Sequence, residues 1–134
     1  MPKEKNSLNP SNIYQPFGKY SHAIFNQKTG LLISSGQLGI TKEGLIPTKF
    51  IEQTELCFSN IRSIIQEADF SLDDILKVSA FVTDRKYFND YMKVRDHFLK
   101  DVLIKPASTL LIVSGFTKPE FLVEIEVIAQ KFDD

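Results

Sequence analysis

The sequence has one cysteine, no tryptophan, no excess of charge of either sign and no long apolar run. With Cys57 alone no internal disulfide can form, and every metal or redox motif built on paired cysteines is excluded. A lone thiol fits a reducing compartment, so the expected location is cytoplasmic. Lys and Arg number 16 against 17 Asp and Glu, a formal net charge of −1. Binding to a phosphate backbone draws on a strong local excess of cations, so no nucleic acid partner is expected. No apolar stretch approaches the ~20 residues that span a bilayer. The opening Met1-Pro2-Lys3-Glu4-Lys5-Asn6 is too charged for a secretory signal. A soluble protein without a membrane partner is expected. Also missing are a P-loop, a dinucleotide-binding glycine fingerprint, a serine nucleophile elbow, an HExxH zinc helix and any tandem repeat.

What is present is 43% hydrophobic residues over 134 positions. A chain of this length buries about two-thirds of its unfolded surface, enough for one core without a staple. Residues 1–12, polar and containing Asn9-Pro10, are expected to form a loose arm, and residues 13–134 the single folded domain. Residues 20–27 and 31–39 flank Lys28-Thr29-Gly30 and predict a β-hairpin. From Pro47 to Asp69, Phe50, Thr54, Cys57, Ile61, Ile64, Ile65 and Ala68 form one stripe at helical spacing. Residues 75–83 alternate, with Leu76, Val78, Ala80 and Val82 on one face, and predict a strand. Asp84 is placed to cap a second helix reaching Val102, which packs through Phe88, Tyr91, Met92, Phe98, Leu99 and Val102. Residues 108–116 and 121–132, around Thr117-Lys118-Pro119-Glu120, predict a closing hairpin. The order ββαβαββ places both helices on one face of a single mixed sheet. Two helices cannot cover both faces, and Thr109-Leu110-Leu111-Ile112-Val113 is apolar on both sides, so the bare face predicts a closed oligomer.

Glu124 and Glu126 are the most informative pair. In a strand both project to one face while Val123, Ile125 and Val127 project to the other. A carboxylate partly desolvated beside its twin has a raised pKa and can position or activate a water. The same spacing fits a strand edge that meets solvent. Ser34-Ser35-Gly36-Gln37 combines small side chains with a glycine that admits a ligand to the backbone, or marks a sheet bend. Tyr20 and His22 share a face and could orient a polar ligand; without a metal or triad partner at the right spacing, His22 fits a surface or interface position better. Cys57 falls in the apolar stripe as a buried structural thiol. His97 has no assigned role.

Ser35-Gly36-Gln37, Glu52-Gln53-Thr54 with Asn60, Ser71-Leu72-Asp73-Asp74-Ile75-Leu76-Lys77-Val78 running on to Phe81-Val82-Thr83-Asp84, Pro106-Ala107 and Val123-Glu124-Ile125-Glu126 together resemble the Rid family of YjgF-type proteins, over residues 16–130. The resemblance implies a chorismate-mutase-like α+β fold, a single mixed six-stranded sheet with two helices on one face. It also implies a homotrimer with a small-molecule cleft between subunits. In the best-studied branch that cleft hydrolyses enamines and imines such as aminoacrylate to a keto acid and ammonia, without cofactor or metal. By the resemblance, Glu124 holds the attacking water, while Tyr20, Ser35 and Gly36 contact substrate.

Three cleft positions depart from that branch. Its carboxylate-binding Arg is Ser108 here, its helix Asn is Met92, and a small polar residue is Leu110; Glu126 completes the lining. A hydroxyl cannot replace a bidentate guanidinium, whose loss costs about 2–5 kcal/mol when the partner charge stays buried. Lys105, constrained by Pro106, and Arg95, in a different helix turn, are not expected to supply a replacement cation. The leading expectation is therefore an imine or enamine deaminase acting on a substrate other than aminoacrylate. The alternatives are a non-catalytic trimer that binds a metabolite or partner, and a ribonuclease or translation inhibitor.

Overall fold

The computed structural model describes residues 4–131. Its elements are β1 (Lys5–Leu8), β2 (Ala23–Asn26), β3 (Leu31–Ser34), β4 (Gln37–Leu38), α1 (Phe50–Glu67), β5 (Ile75–Val82), α2 (Phe88–Phe98), β6 (Ala107–Ile112) and β7 (Val123–Gln130). The sheet runs β1-β2-β3-β7-β5-β6, and β4 pairs with β7 beyond the end of β3. All pairings are antiparallel except β5 with β6. This is the expected α+β mixed sheet with two helices, with β4 as an addition to the six-strand path.

The turn of the first hairpin is built by Asn26, whose Oδ1 accepts the N–H groups of Lys28 and Thr29 at 3.0 and 3.2 Å, and by Gly30 at φ 74°. After Ser34 the expected strand breaks at Ser35-Gly36 and resumes as β4. The buried Ser34 hydroxyl accepts the Val127 N–H at 2.9 Å. In α1 the residues Phe50, Thr54, Cys57, Phe58, Ile61, Ile64 and Ile65 are buried, and Phe58 meets Phe98 of α2 at 4.5 Å between ring centroids. Spacing at three and four residues makes that one stripe, and the stripe fixes which side of α1 faces the sheet.

Four expectations are corrected. The segment expected to be a loose arm holds β1, paired with β2 from Lys5↔Asn26 to Leu8↔Ala23; Leu8 enters the core, and Asn9 Oδ1 accepts the His22 N–H at 2.9 Å. Residues 1–3 lie outside the described residues, as does Phe132 at the expected end of the last strand. The closing hairpin does not form: β5 lies between β6 and β7. The chain leaves β5 through α2 and returns parallel to it as β6, so the free edge of β5 is taken by β7. Leu76 leaves the face it was assigned because a bulge between Ile75 and Lys77 rotates it outward, to 46% exposure. Asp84 caps a single turn, Arg85–Tyr87, that leads into α2, and α2 stops at Phe98 rather than Val102. Beyond it Lys105 Nζ donates to the carbonyls of Leu99 and Val102, both at 2.7 Å, which holds that corner closed. Leu99 and Val102 are buried as expected, but Phe88 is not.

On the sheet face away from the helices, Ile33, Leu111 and Ile128 remain 49%, 52% and 38% exposed, and Ile33 pairs directly with Ile128.

Candidate functional site

Strand β7 alternates as expected, but it lies inside the sheet rather than at an edge. Val123, Ile125 and Val127 are buried against the helices, while Glu124 and Glu126 are half-buried on the opposite face. Glu124 stands in register with Phe81 on one side and Leu38 on the other. Its side chain lies on the backbone of Gly36: a Cβ there would sit 2.5 Å from the Glu124 carboxyl carbon and 2.7 Å from Cγ. A larger residue at position 36 would displace the Glu124 side chain from this place. Burial, and then the neighbouring charge of Glu126, raise the pKa of the Glu124 carboxyl. Ser35 Oγ donates to the Ser21 carbonyl at 2.7 Å and its N–H donates to the His22 carbonyl. This ties Ser35 and Gly36 to the segment carrying Tyr20, whose exposed ring has its hydroxyl oxygen accepting from the Phe17 N–H at 3.1 Å. Ser35, Gly36 and Glu124 therefore form one group, which Tyr20 adjoins through the neighbouring Ser21.

Ser108 and Leu110 on β6, and Met92 on α2, lie on the helix side of the sheet as a second set. Ser108 and Leu110 stand in register with Val78 and Ala80, which are buried against the helices. Glu124 and Glu126 are in register with Phe81 and Ser79 on the other face. One copy of the chain therefore holds the two groups on opposite faces of its sheet. Met92 and Leu110 are partly buried against the core. Arg95, one turn after Tyr91, lays its guanidinium 5.7 Å from the Tyr91 ring centroid and donates from Nη1 to Ser108 Oγ at 3.2 Å. The different helix turn that counted against Arg95 is the turn that faces β6. Lys105, the other candidate cation, is committed to the carbonyls that close α2.

Other polar groups that attract attention in the sequence turn out to hold the scaffold. His22 is buried rather than at the surface. Its Nε2 donates to the Tyr14 carbonyl at 2.6 Å, which leaves Nδ1 to accept from Gln37 Nε2 at 3.2 Å. Gln53, fully buried, donates to the carbonyls of Pro47 and Glu120 at 2.7 and 2.8 Å and accepts the Leu122 N–H at 2.9 Å. Cys57 is buried as expected, and burial pushes its thiol pKa up, so it stays protonated. Among the described residues no cluster of three or more His, Cys, Asp or Glu side chains could hold a metal ion, and no helix is long and apolar enough to cross a membrane. Sequence reasoning missed Gln53 and underrated Arg95. For Arg95 the signal was its spacing of three and four residues from Met92 and Tyr91, which puts all three on neighbouring parts of one helix face.

The sequence profile of a family described as Endoribonuclease L-PSP matches residues 11–131. A RutC family protein of Aquifex aeolicus is 36% identical over 117 residues, 87% of this chain and 91% of that protein. Another, from Pyrococcus horikoshii, is 35% identical over 124 residues, 90% and 93% of the two chains. Among solved structures, the Rid-family protein YyfA of Yersinia pestis superposes with a TM-score of 0.87 at 30% identity, covering 95% of this chain and 99% of that one. RidA from an Antarctic Psychrobacter gives 0.86 at 28% identity, covering 94% and 99%.

Proposed function

Because the chain belongs to the endoribonuclease L-PSP family, whose members also carry the names RutC, YjgF and Rid, we propose that it is a homotrimer whose intersubunit cleft hydrolyses a reactive enamine or imine, other than aminoacrylate, to a carbonyl compound and ammonia. The observation that supports this reading most directly is Glu124: a half-buried carboxylate with a raised pKa, lying on a glycine whose missing side chain makes room for it. A base whose pKa is lifted toward neutrality takes a proton from water more readily than a solvated carboxylate does. An enamine first takes a proton on carbon and becomes the imine. Water held by Glu124 then adds to the imine carbon, and its proton passes through the carboxylate to nitrogen. The resulting carbinolamine expels ammonia as the C=O bond forms. The reaction balances with water alone. Tyr20, with the backbone at Ser35 and Gly36, lines the approach to that carbon.

The test is to incubate the purified protein with enamines generated from serine, leucine and aromatic amino acids, and with pre-formed cyclic imines. Ammonia release above the buffer rate on at least one of them, reduced about a hundredfold or more in Glu124→Ala, is expected. Release at the buffer rate across the panel, unchanged by the substitution, would overturn the reading. In its place would stand a trimer that binds a metabolite without chemistry, which Met92 and Leu110 favour by making the second group more apolar than a deaminase needs. Such a protein is stabilised thermally by its ligand with no turnover.

A further inference from the structure

The helix layer holds a cavity of about 610 Å³ between α1 and α2, and none of the candidate residues described above lines it. On α1 it is bordered by Ile51, Glu55, Ser59 and Arg62, which recur at helical spacing along the exposed side of that helix. The cavity therefore opens on the outside of the helix layer, away from the sheet face that carries Glu124. Its walls are apolar, with Ile51, Phe58, Leu72, Val94, Phe98 and Val102 turned toward it. The rings are already in place: Phe98 stacks on Phe58 at 4.5 Å between centroids, and Phe58 on Tyr91 at 6.3 Å. A preformed, aromatic-floored space of this size suits a small molecule.

Charge is distributed unevenly along it. The Arg62 guanidinium lies over the Phe98 ring, 5.1 Å from its centroid. Phe98 and His97 belong to the last turn of α2, and Lys100 follows directly, so Arg62, His97 and Lys100 stand at one end. Among the described residues none of these three side chains has a hydrogen bond or an ion pair, so all five N–H groups of Arg62 are open to a ligand. Three carboxylates line the cavity. Glu55 lies about two turns before Arg62 on α1. Asp73 Oδ1 accepts the Leu103 N–H at 3.3 Å, which leaves Asp101 as the free carboxylate at this end. Even with His97 neutral, Arg62 and Lys100 outnumber it. From Ile51 to Arg62 the groove follows α1 for about 16 Å. That length fits an extended hydrocarbon chain lying on the apolar walls, and the cationic end fits a carboxylate, which a planar guanidinium grips with two N–H groups.

We infer that the groove between α1 and α2 is a second ligand site, which binds a monocarboxylate with an extended hydrocarbon body. The chain lies on Phe58, Val94 and Ile51, and the carboxylate meets Arg62. This site is separate from the proposed cleft and does not depend on the deaminase reading. It also gives His97 a place, on the wall beside the carboxylate.

Calorimetric titration with decanoate, and with decanol as the same chain without the charge, tests this, both kept below the concentrations at which they aggregate. The proteins are the wild type, Arg62→Gln, Ile51→Asp, Arg95→Ala and Glu124→Ala, each checked for fold and oligomeric state by circular dichroism and light scattering. The wild type should take one decanoate per chain and prefer it to decanol by about fivefold, as an ion pair at an exposed guanidinium allows. Arg62→Gln should remove the preference while leaving decanol unchanged. Ile51 is 41% exposed, so the fold tolerates its replacement, and Ile51→Asp should weaken both probes by about tenfold through lost apolar contact. Arg95→Ala and Glu124→Ala should leave decanoate binding as it is, because those residues belong to the other two sets. A preference that survives Arg62→Gln, binding that ignores Ile51→Asp, or binding lost in Arg95→Ala or Glu124→Ala places the ligand elsewhere and overturns the inference. Wild-type protein that binds neither probe overturns it too, and leaves the groove to a protein partner.

Discussion

Glu124 and Gly36 show how little sequence a functional contact can need. Alternation along β7 is enough to put Glu124 and Glu126 on one face, and a glycine between small residues marks a place where something approaches the backbone. What alternation could not say is that the approaching group is Glu124 itself. Arg95 shows the opposite case: a residue judged by distance along the chain, when its distance across a helix-to-strand packing was what mattered. The burial of His22 is not legible locally because its partners come from separate segments, Tyr14 from the loop before it and Gln37 from β4. The electrostatics of the pair lead to a pH prediction. In the proposed reaction Glu124 acts as base when ionised, so kcat/KM should rise with pH through its raised pKa, placing the acid limb above the ordinary value of a glutamate. Burial is the larger cause and Glu126 the second, so Glu126→Gln should move the limb to lower pH without abolishing it. A pH profile of ammonia release in both proteins checks this. An acid limb that stays put in Glu126→Gln, or moves upward, contradicts the assignment.

At the level of elements, what was legible was whatever depends on local periodicity. The stripe of α1, the alternation of β7 and of β5 beyond its bulge, and the turn at Lys28-Thr29-Gly30 all follow from side-chain spacing, and all appear. What failed depends on pairing choices made across the sheet. Two apolar segments around Lys118-Pro119 look like a hairpin to any local rule, yet β5 is seated between them. Likewise β1 is polar enough to pass for a loose arm, and its order comes from the exposed edge of β2. Gln53 is the side chain that joins these scales. From the first turn of α1 it bonds both the loop entering that helix and the loop entering β7. Glu52-Gln53-Thr54 carries no local signal for this, since a glutamine at a stripe position reads as an interruption. Gln53→Leu fills the volume but leaves two carbonyls and one N–H without partners, at a cost of about 2–4 kcal/mol. Thermal unfolding at a fixed protein concentration should fall by about 10 °C. A change under about 2 °C would mean that water replaces the amide and that the clip is dispensable.

For the molecule as a whole, the decisive geometry is that the two groups of candidate residues lie on opposite faces of one sheet. Tyr20, Ser35, Gly36 and Glu124 cannot meet Ser108, Met92, Leu110 and Arg95 inside a single copy. A site that uses both needs a neighbour, and the exposed Ile33, Leu111 and Ile128 on the face without helices supply an apolar surface against which a neighbour can pack. In the proposed ring of three, each cleft would take the glutamate group from one copy and the arginine group from the next. That arrangement has a consequence no monomeric site shares. Glu124→Ala and Arg95→Ala each damage every cleft in their own trimers. When the two variants are unfolded together and refolded at equal amounts, about one quarter of the clefts receive the intact glutamate from one copy and the intact arginine from the other. Deaminase activity should then rise to about a quarter of the wild-type level, well above the mean of the separately refolded variants. Adding Ile33→Glu and Ile128→Glu to both chains places like charges on the packing face; this should leave monomers by light scattering and abolish the recovery. Activity that stays at the mean of the two parents while mixed trimers are demonstrably present would place the whole site within one chain, contrary to the register of β6 and β7.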